Sequence, residues 1–443
     1  MRDIHVPTRP RRLLSLTLGL LLVAGCSSSS SGSDGDGPGP SGDGGTNTPD
    51  GGGVGPSACL SVPLLDSLGR NRLLVGAQMT DGTAASAPFD IRYLYIAGGL
   101  FDSPQACTSC TSGCSAAGTS CQGGGCAWWG CWQDVSRPPG DYVRGFVAGA
   151  RGRGQLPLIT YYQQLLGSGR AEGAQQLEAL NELSFMRRYL ADWRVVLQQV
   201  GDAPALLHIE PDLWGYLQFF HGTASSVPAQ VASANATDCG GMENNAAGLG
   251  RCMIAMARKY APNAKVGLHA SPWATRHDVY LNTDASFDVA GEARKVADFL
   301  LQVGANETDF VVVEASDRDA GFYQSQGEDV WWDATNATRP NFHQAFAWAK
   351  ALSEHLNTPN LWWQLPVGHM ALSDRHQRWR DNRVDYFFTH TAEVAAAHSL
   401  GFSFGAGEGQ QTTPETDDGH LVNRVRAYAG SGGQAPCIST LTP

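Results

Sequence analysis

The chain alternates between short apolar runs and longer stretches in which apolar residues recur at helical spacing. Each run is nearly continuous, which is typical of strands buried on both faces of a parallel sheet. Eight runs can be identified: Leu73–Met79, Ile91–Ile96, Leu156–Tyr161, Ala205–Glu210, Ala264–His269, Asp309–Glu314, Asn360–Gln364 and Gly401–Gly405.

Helical patterns fill most of the intervals between these runs. They span Ala171–Val200, Ala246–Tyr260, Val289–Val303, Phe342–Leu356, Tyr386–His398 and Gly419–Ala429. Eight strands separated by helices predict an α/β fold, a (β/α)8 TIM-type barrel. The main alternative is a doubly wound open sheet, but no glycine-rich phosphate loop follows the first run. Only residues 80–90 separate the first two runs, so we expect a barrel that is distorted at its start or has seven true strands.

The fourth run ends abruptly in two acids and a proline, Glu210-Pro211-Asp212. Since proline cannot continue a central strand, the strand should stop near Glu210. The two-residue alternation of a strand then predicts His208 on the same side as Glu210. Acids at the carboxyl end of an apolar strand are typical of an α/β active site.

The sixth run also ends in an acid, Glu314, and strands four and six of a barrel can face each other across its mouth. Cleavage of a glycosidic bond needs one carboxylic acid and one carboxylate. We therefore predict Glu210 and Glu314 as the catalytic pair, with Asp212 and Asp317 as alternates. For each glutamate, a salt-bridged residue at a strand end is the structural alternative.

Aromatic and amide residues near the other strand ends favour a sugar substrate, because flat rings pack on sugar rings while polar groups bind the hydroxyls. The chain has 12 Trp residues. The predicted substrate-binding residues are Tyr161, Gln163, His208, Trp214, His269, Trp273, Trp362, Gln364 and Glu408. Of adjacent strand residues such as Trp362 and Trp363, only one can face the lumen. We predict no cofactor and no metal.

The N-terminus predicts export. Four arginines precede an apolar run from Leu13 to Val23, which is a secretory signal too short to span a membrane. It ends in Val23-Ala24-Gly25-Cys26, which resembles the lipobox of bacterial lipoproteins and implies cleavage before Cys26 and lipidation of its thiol. We expect a protein anchored to the outer membrane or cell surface, with the periplasm as an alternative.

Residues 27–57 are rich in Ser, Gly, Asp and Pro and predict a flexible linker. Residues 58–443 then form a single catalytic domain. The formal net charge is −11, and it becomes −14 once the four Arg and one Asp of residues 1–26 are removed. Such an acidic chain without a basic run is a poor nucleic-acid binder. We expect a carbohydrate as the partner, a membrane contact only through the lipid, and a monomer.

Ten cysteines remain after Cys26, and an even number in an exported chain predicts disulfides. Cys59 and Cys437 bracket the domain, and we expect them to bridge its two ends; Cys239 and Cys252 lie close together. The others form a cluster in an insertion at about residues 101–136: Cys107, Cys110, Cys114, Cys121, Cys126 and Cys131. A zinc site is the alternative for this cluster, since Cys107 and Cys110 have ligand spacing.

The overall plan resembles the broad group of secreted (β/α)8 glycoside hydrolases, over most of residues 58–443. The tetrapeptide Ile209-Glu210-Pro211-Asp212 also resembles a motif of the family-six cellulases. In those enzymes an aspartate-rich catalytic segment precedes the motif, whereas the preceding strand here contains no acid. The large retaining clan has acids after strands four and seven, but the seventh run offers Gln364. The resemblance therefore implies a glycosidase without assigning a family.

Two other functions fit the same residues. A divalent metal ion could be held at the barrel mouth by imidazole and carboxylate groups, as in metal-dependent hydrolases and isomerases on this fold. The candidate ligands are His208, Glu210, Asp212, His269, Glu314 and Asp317. A non-catalytic glycan-binding lipoprotein would use the aromatic residues without the acids. Our prediction is a lipid-anchored glycoside hydrolase.

Overall fold

Eight parallel strands close into a barrel in the computed structural model of the chain. The structure describes residues 59–97, 100, 115–116, 119–120, 140–316, 318–407 and 409–436. The strands are β1 (Leu74–Ala77), β2 (Ile91–Ile96), β3 (Leu156–Tyr161), β4 (Leu206–Ile209), β5 (Lys265–Ala270), β6 (Phe310–Glu314), β7 (Asn360–Leu365) and β8 (Ser399–Phe404). Each strand pairs with its neighbours in sequence, and β8 pairs with β1 to close the ring. The predicted (β/α)8 fold is confirmed.

Helices precede β1, occupy the connections between strands and follow β8. They are α1 (Ser61–Ser67), α2 (Asp81–Ser86), α3 (Asp141–Gly152), α4 (Gln164–Ser168), α5 (Ala174–Glu178), α6 (Leu183–Val200), α7 (Leu213–His221), α8 (Ala236–Cys239), α9 (Ala246–Tyr260), α10 (Val289–Gln302), α11 (Ala320–Ser325), α12 (Phe342–Leu356), α13 (Arg383–Thr389), α14 (Thr391–Ala396) and α15 (His420–Gly430). Three long helices begin at side-chain caps, where Asn245, Asp288 and Asn341 each accept a backbone N–H of the first turn.

The first crossover is short, as its sequence predicts. Only the six-residue α2 connects β1 to β2, and Thr80 caps it by accepting the backbone N–H of Thr83. Pairing between β1 and β2 is limited to two residue pairs, Gly76 with Ile91 and Ala77 with Arg92. Six pairs join β2 to β3. The barrel thus has eight true strands and is irregular where its crossover is shortest.

Side chains alternate between the barrel interior and the helix layer. Leu206 of β4 lies in an interior cluster with Leu158, Phe310 and Leu361, whereas Leu207 packs in the larger cluster beneath the helices. Helix α1 adds Leu64 and Leu65 to the interior cluster, where they meet the first residues of several strands. The amino end of the barrel is therefore filled by apolar groups, and polar chemistry is left to the carboxyl end.

One predicted disulfide lies within the described residues. Cys239 at the end of α8 is bonded to Cys252 of α9, with their Cα atoms 5.3 Å apart. Cys59 is also disulfide-bonded, and its predicted partner Cys437 lies outside the described residues. The signal segment with Cys26, the linker and the cysteine cluster also lie outside the described residues. The cluster consists of Cys107, Cys110, Cys114, Cys121, Cys126 and Cys131. A short hairpin of residues 115–116 and 119–120 is the described part of that insertion.

Where the structure describes the chain, it contains no helix with both the length and the apolar character needed to cross a membrane.

Candidate active site

Five inward-facing side chains meet at the carboxyl ends of β3 to β7. They are Thr160, His208, His269, Glu314 and Trp363, one from each consecutive strand. The indole ring of Trp363 lies edge-on to both imidazoles, with ring centroids 4.7 Å from His208 and 5.9 Å from His269. The alternation of side chains along each strand, together with the register of the closed ring, turns these groups towards the lumen.

Thr160, His208 and His269 form a continuous chain of polar contacts. Thr160 Oγ1 lies 3.2 Å from His208 Nδ1, and His208 Nε2 lies 3.1 Å from His269 Nδ1. Burial, reinforced by the neighbouring His269, holds the pKa of His208 well below its usual range, so this imidazole is neutral at pH 7. In the tautomer in which His208 donates from Nε2, His269 carries its proton on Nε2, the atom 4.0 Å from Glu314 Oε1.

Asp212 brings a second carboxylate to Glu314 and His269. One ligand-type atom from each of these three residues lies within 4.8 Å of the other two, and all three side chains are buried. Asp212 follows Pro211 with a left-handed φ of 68° and directly precedes α7. Its Oδ2 accepts a hydrogen bond of 3.2 Å from the hydroxyl of Tyr162. The tertiary structure therefore gathers an aspartate from the turn after β4, a histidine from β5 and a glutamate from β6.

This trio can also serve as a set of metal ligands. Two carboxylates and an imidazole are the mixed oxygen and nitrogen donors that zinc, manganese or iron bind in proteins. Of the five candidate ligands that the structure describes, these are the three that it brings together; the sixth, Asp317, lies outside the described residues.

The side chain of Glu210 points to a different part of the molecule. Its Oε1 accepts three hydrogen bonds: 2.7 Å from the hydroxyl of Tyr189 in α6, and 3.1 Å from each backbone N–H of Gln163 and Gln164. The residue has a left-handed φ of 53°, which ends the two-residue alternation of β4. This corrects the prediction that His208 and Glu210 share a side: His208 faces the lumen, and Glu210 Oε1 faces the helix layer.

Burial raises the pKa of Glu210 to about 8, with a further contribution from Asp212, against three hydrogen bonds that favour the charged form. The carboxyl group is therefore largely protonated at neutral pH. Its Oε2 has no hydrogen-bond partner among the described residues.

Tyr161 and Gln163 lie in the same layer as Glu210. Both donate to Asp192 Oδ2 in α6, the Tyr161 hydroxyl over 3.0 Å and the Gln163 Nε2 over 3.3 Å. The Tyr161 ring packs on Tyr189 and Trp193. Tyr161 and Gln163, both predicted to bind substrate, therefore face the helix layer and not the barrel mouth.

Two of the three predicted tryptophans are core residues. Trp362 packs on Phe346 and Phe387 beneath the helices, so its neighbour Trp363 takes the inward position. Trp214 is buried, and its Nε1 donates to the carbonyl oxygen of Ile209 over 3.0 Å. Because side chains alternate along β7, only one of the two adjacent tryptophans can face the lumen. The alternation does not decide which of the two it is.

Trp273 is the predicted tryptophan that keeps exposed surface. It follows β5 and its ring lies 4.7 Å from that of Tyr216 in α7. Gln364, the residue before the last of β7, has a left-handed φ of 55° and is buried. Asp317 and Glu408, the other predicted site residues, lie outside the described residues.

Tyr95 and Tyr162 are site residues that the sequence reasoning missed. Tyr95 lies on β2 with its ring 5.4 Å from Trp363 and 6.5 Å from Tyr162, and it is partly exposed. Alternation along β2 could have identified Tyr95, because Ile91 and Tyr93 of the same strand face the interior. Nothing local marks Tyr162, since its role depends on contact with Asp212.

The fold defines the class of protein: a closed parallel (β/α)8 barrel. No protein-family model matches the sequence, and no curated protein matches it. Similar solved structures include the family 26 endo-β-1,4-mannanase of Cellulomonas fimi, with a TM-score of 0.43, 10% identity and coverage of 84% of this chain and 74% of that one.

Another is the GH113 β-mannanase of Alicyclobacillus acidocaldarius, with a TM-score of 0.39, 9% identity and coverage of 82% of this chain and 99% of that one. The endoglucanase Cel6 of Mycobacterium tuberculosis has a TM-score of 0.28 and 13% identity, and the match covers 50% of this chain and 55% of that chain, about half its length. At these scores and identities the likenesses say nothing about the activity of this chain.

Proposed function

We propose that this chain is a glycoside hydrolase whose reacting pair is Asp212 and Glu314. The observation that carries the proposal is the convergence of these two carboxyl groups, within 4.8 Å of each other through one oxygen each, at the carboxyl end of the barrel. The sequence analysis proposed Glu210 as the first catalytic acid. We assign that role to Asp212 instead, because Glu210 Oε1 accepts a hydrogen bond from Tyr189 of α6.

The separation favours retention of configuration. Retaining glycosidases hold their carboxyl groups about 5–5.5 Å apart, whereas inverting enzymes leave about 6.5–9.5 Å for a water molecule. One group, protonated, gives its proton to the departing glycosidic oxygen while the other carboxylate attacks the anomeric carbon and forms a glycosyl ester. Water, deprotonated by the first group, then attacks the same carbon, so that the ester bond breaks and the sugar and the free carboxylate are released.

The proposed substrate is an oligosaccharide or polysaccharide. Tyr95 and Trp273 offer partly exposed aromatic surface near the strand ends, and aromatic faces suit the apolar faces of sugar rings. The two histidines and Tyr162 supply hydrogen-bonding groups beside the acids.

The test is hydrolysis of a glycan panel by residues 58–443, with Asp212→Asn and Glu314→Gln beside the wild type. Each variant is expected to lose about 100-fold or more in kcat, as removal of a positioned acid, base or nucleophile does. Aryl glycosides with good leaving groups separate the roles, because they need no proton: the acid variant keeps their first step and the nucleophile variant loses it. A wild type that binds glycans without cleaving any would make the protein a binding lipoprotein instead.

A metal-dependent hydrolase or isomerase is the second candidate, and the grouping of Asp212, His269 and Glu314 favours it. Here the three residues would hold a divalent ion that activates water or polarises a substrate oxygen. Dialysis against a chelator decides between the two: activity that is lost and then restored by an added divalent ion replaces the metal-free mechanism, and unchanged activity supports it.

We further propose that the protein is exported, lipidated at Cys26, and active as a monomer at the cell surface or outer membrane. The support is the arginine-rich apolar segment and the lipobox-like Val23-Ala24-Gly25-Cys26. Cell fractionation of the full chain and of Cys26→Ala tests the anchor, since the variant should leave the membrane fraction. Size-exclusion chromatography of residues 58–443 tests the monomer.

A further inference from the structure

Glu210 and Asp212 occupy an unusual turn on either side of Pro211. Both have left-handed φ values, 53° and 68°, a region that residues with a Cβ seldom adopt. Such conformations cost about 1–3 kcal/mol each and persist where surrounding contacts determine them. The contacts that hold this turn therefore decide where Asp212 lies.

The carboxyl group of Glu210 supplies three of those contacts. Its Oε1 accepts hydrogen bonds from Tyr189 in α6 and from the backbone N–H groups of Gln163 and Gln164 at the end of β3. The Glu210 backbone N–H also donates 2.8 Å to the carbonyl oxygen of Tyr161, which continues the pairing of β3 and β4. The residue thus fastens the turn to one neighbouring strand and one helix.

The same contacts reach Asp212 by a second route. Tyr162 directly precedes Gln163, whose backbone Glu210 holds, and the Tyr162 hydroxyl donates to Asp212 Oδ2 over 3.2 Å. Glu210, residues 161–164 and Asp212 therefore form a closed ring of covalent and hydrogen bonds. A shift of Glu210 moves Asp212 through the Pro211 turn and through Tyr162 together.

We propose that Glu210 is a positioning residue, whose carboxyl group fixes the Pro211 turn and Tyr162 so that Asp212 lies against His269 and Glu314. This inference rests on the proposed function for its effect on catalysis. Glu210 is not assigned to the reacting pair, because its Oε1 already receives three donors from the protein.

The chemistry of the group suits this role. Oε1 of Glu210 acts only as an acceptor for its three donors. The side-chain amide of glutamine has an acceptor oxygen at the same position and nearly the same shape as a carboxyl group. Glutamine is therefore expected to replace Glu210 in positioning, whereas it cannot replace a carboxyl group that takes part in the reaction.

The experiment compares Glu210→Gln, Glu210→Ala and Tyr162→Phe, each as residues 58–443. Glu210→Ala is expected to lower kcat about 100-fold with a smaller change in KM, since misplacing a reacting group by about 1 Å costs that much. Glu210→Gln should keep kcat within about threefold of the wild type, and its pH–rate profile should keep the wild-type shape. Tyr162→Phe should lower kcat about tenfold while the folded state stays intact, which keeps the test open if Glu210→Ala does not fold.

Crystal structures of the three variants give a readout that does not depend on turnover. The carboxylate of Asp212 should be displaced from His269 and Glu314 in Glu210→Ala and unmoved in Glu210→Gln. If the wild type cleaves no glycan, the proposed function fails while the displacement still tests the positioning. Glu210→Gln as inactive as Glu210→Ala with Asp212 in place makes Glu210 a reacting group and overturns the inference. An unmoved Asp212 in Glu210→Ala, or in Tyr162→Phe where the alanine variant does not fold, overturns it too.

Discussion

His208 and His269 face each other inside the barrel, with Nε2 of the first 3.1 Å from Nδ1 of the second. Their rings are stacked at an angle of 23° between planes. Because His208 is buried and neutral, it can fix the tautomer of His269 by donating or accepting one proton, and His269 in turn faces Glu314.

Replacing His208 by leucine should therefore affect both stability and activity. The loss removes the hydrogen-bond partner that His208 provides to buried Thr160 and His269, which costs about 1–3 kcal/mol of unfolding free energy. We also expect kcat to fall about tenfold or more, because His269 loses its fixed orientation. Urea denaturation and steady-state kinetics measure the two effects. His221→Leu, on the exposed end of α7, is the control, and equal effects from both variants would contradict the prediction.

Glu210 should make the fold less stable as the pH rises. Burial raises its pKa from the ordinary 4.5 to about 8 in the folded state, so the folded chain binds this proton more tightly than the unfolded chain. The stabilisation is complete below about pH 4.5 and is lost as the pH rises through about 8, with a slope of up to about 1.4 kcal/mol per pH unit.

The measurement is the difference in unfolding free energy between the wild type and Glu210→Gln from pH 4 to 9. This difference should fall with increasing pH, since glutamine carries no proton to lose. Glu307→Gln at the exposed position 307 provides the comparison for a surface carboxylate. A difference in unfolding free energy that rises with pH would contradict the raised pKa of Glu210 in the folded state.

Trp273 should contribute to substrate affinity more than to turnover. Its ring keeps exposed surface beside Tyr216, and loss of one stacking contact is worth about 0.5–1.5 kcal/mol. Trp273→Ala is therefore expected to raise KM about threefold to tenfold with little change in kcat, measured on an oligosaccharide substrate. Tyr260→Ala, at the end of α9, should leave KM unchanged.

A glycine allows Trp273 to lie where it does. A Cβ on Gly215 would come within 2.8 Å of the Trp273 ring and 2.5 Å of Ser271 Oγ. Gly215→Ala should therefore raise KM in the same direction as Trp273→Ala, and the two changes should not add in the double variant. Additive effects would show that the two residues act separately.

The bridge between Cys239 and Cys252 should stabilise the fold by about 3 kcal/mol, as expected for a short closed loop. Only 13 positions separate the two cysteines, and both are fully buried. The double variant with alanine at both positions should lose this amount in chemical denaturation. Treating the variant with a reductant should remove less stability than treating the wild type does; equal losses would locate the reductant's effect in other disulfides.

Much of the fold could be predicted from the sequence because each strand of the barrel repeats one local pattern, a continuous apolar run, and each helix repeats another, apolar residues at helical spacing. Continuous apolar runs predicted the strands, and the ranges Ile91–Ile96 and Leu156–Tyr161 agree with the structure at both ends. The long predicted helix over residues 171–200 divides into α5, a short 3-10 turn and α6. Its interruption at residues 179–182 has apolar neighbours on both sides and no proline, so the pattern continues through it.

The candidate site was only partly predictable for a related reason. His269 and Glu314 follow from the period of two, because β5 and β6 stay extended to their last residues. Glu210, Asp212 and Gln364 have left-handed φ values, and at such residues the alternation no longer tells where a side chain points. The choice between Trp362 and Trp363 likewise depended on the register of β7 in the closed ring.

The sequence by itself determined the barrel and the acids and histidines at the barrel's carboxyl end, and it marked Cys239 and Cys252 as disulfide candidates. Only the tertiary structure decided that Asp212, and not Glu210, lies beside Glu314. The physical reason is the turn around Pro211: its two left-handed residues are held by contacts with Tyr189, Gln163 and Tyr162, which are distant in the chain and adjacent only once the barrel has closed.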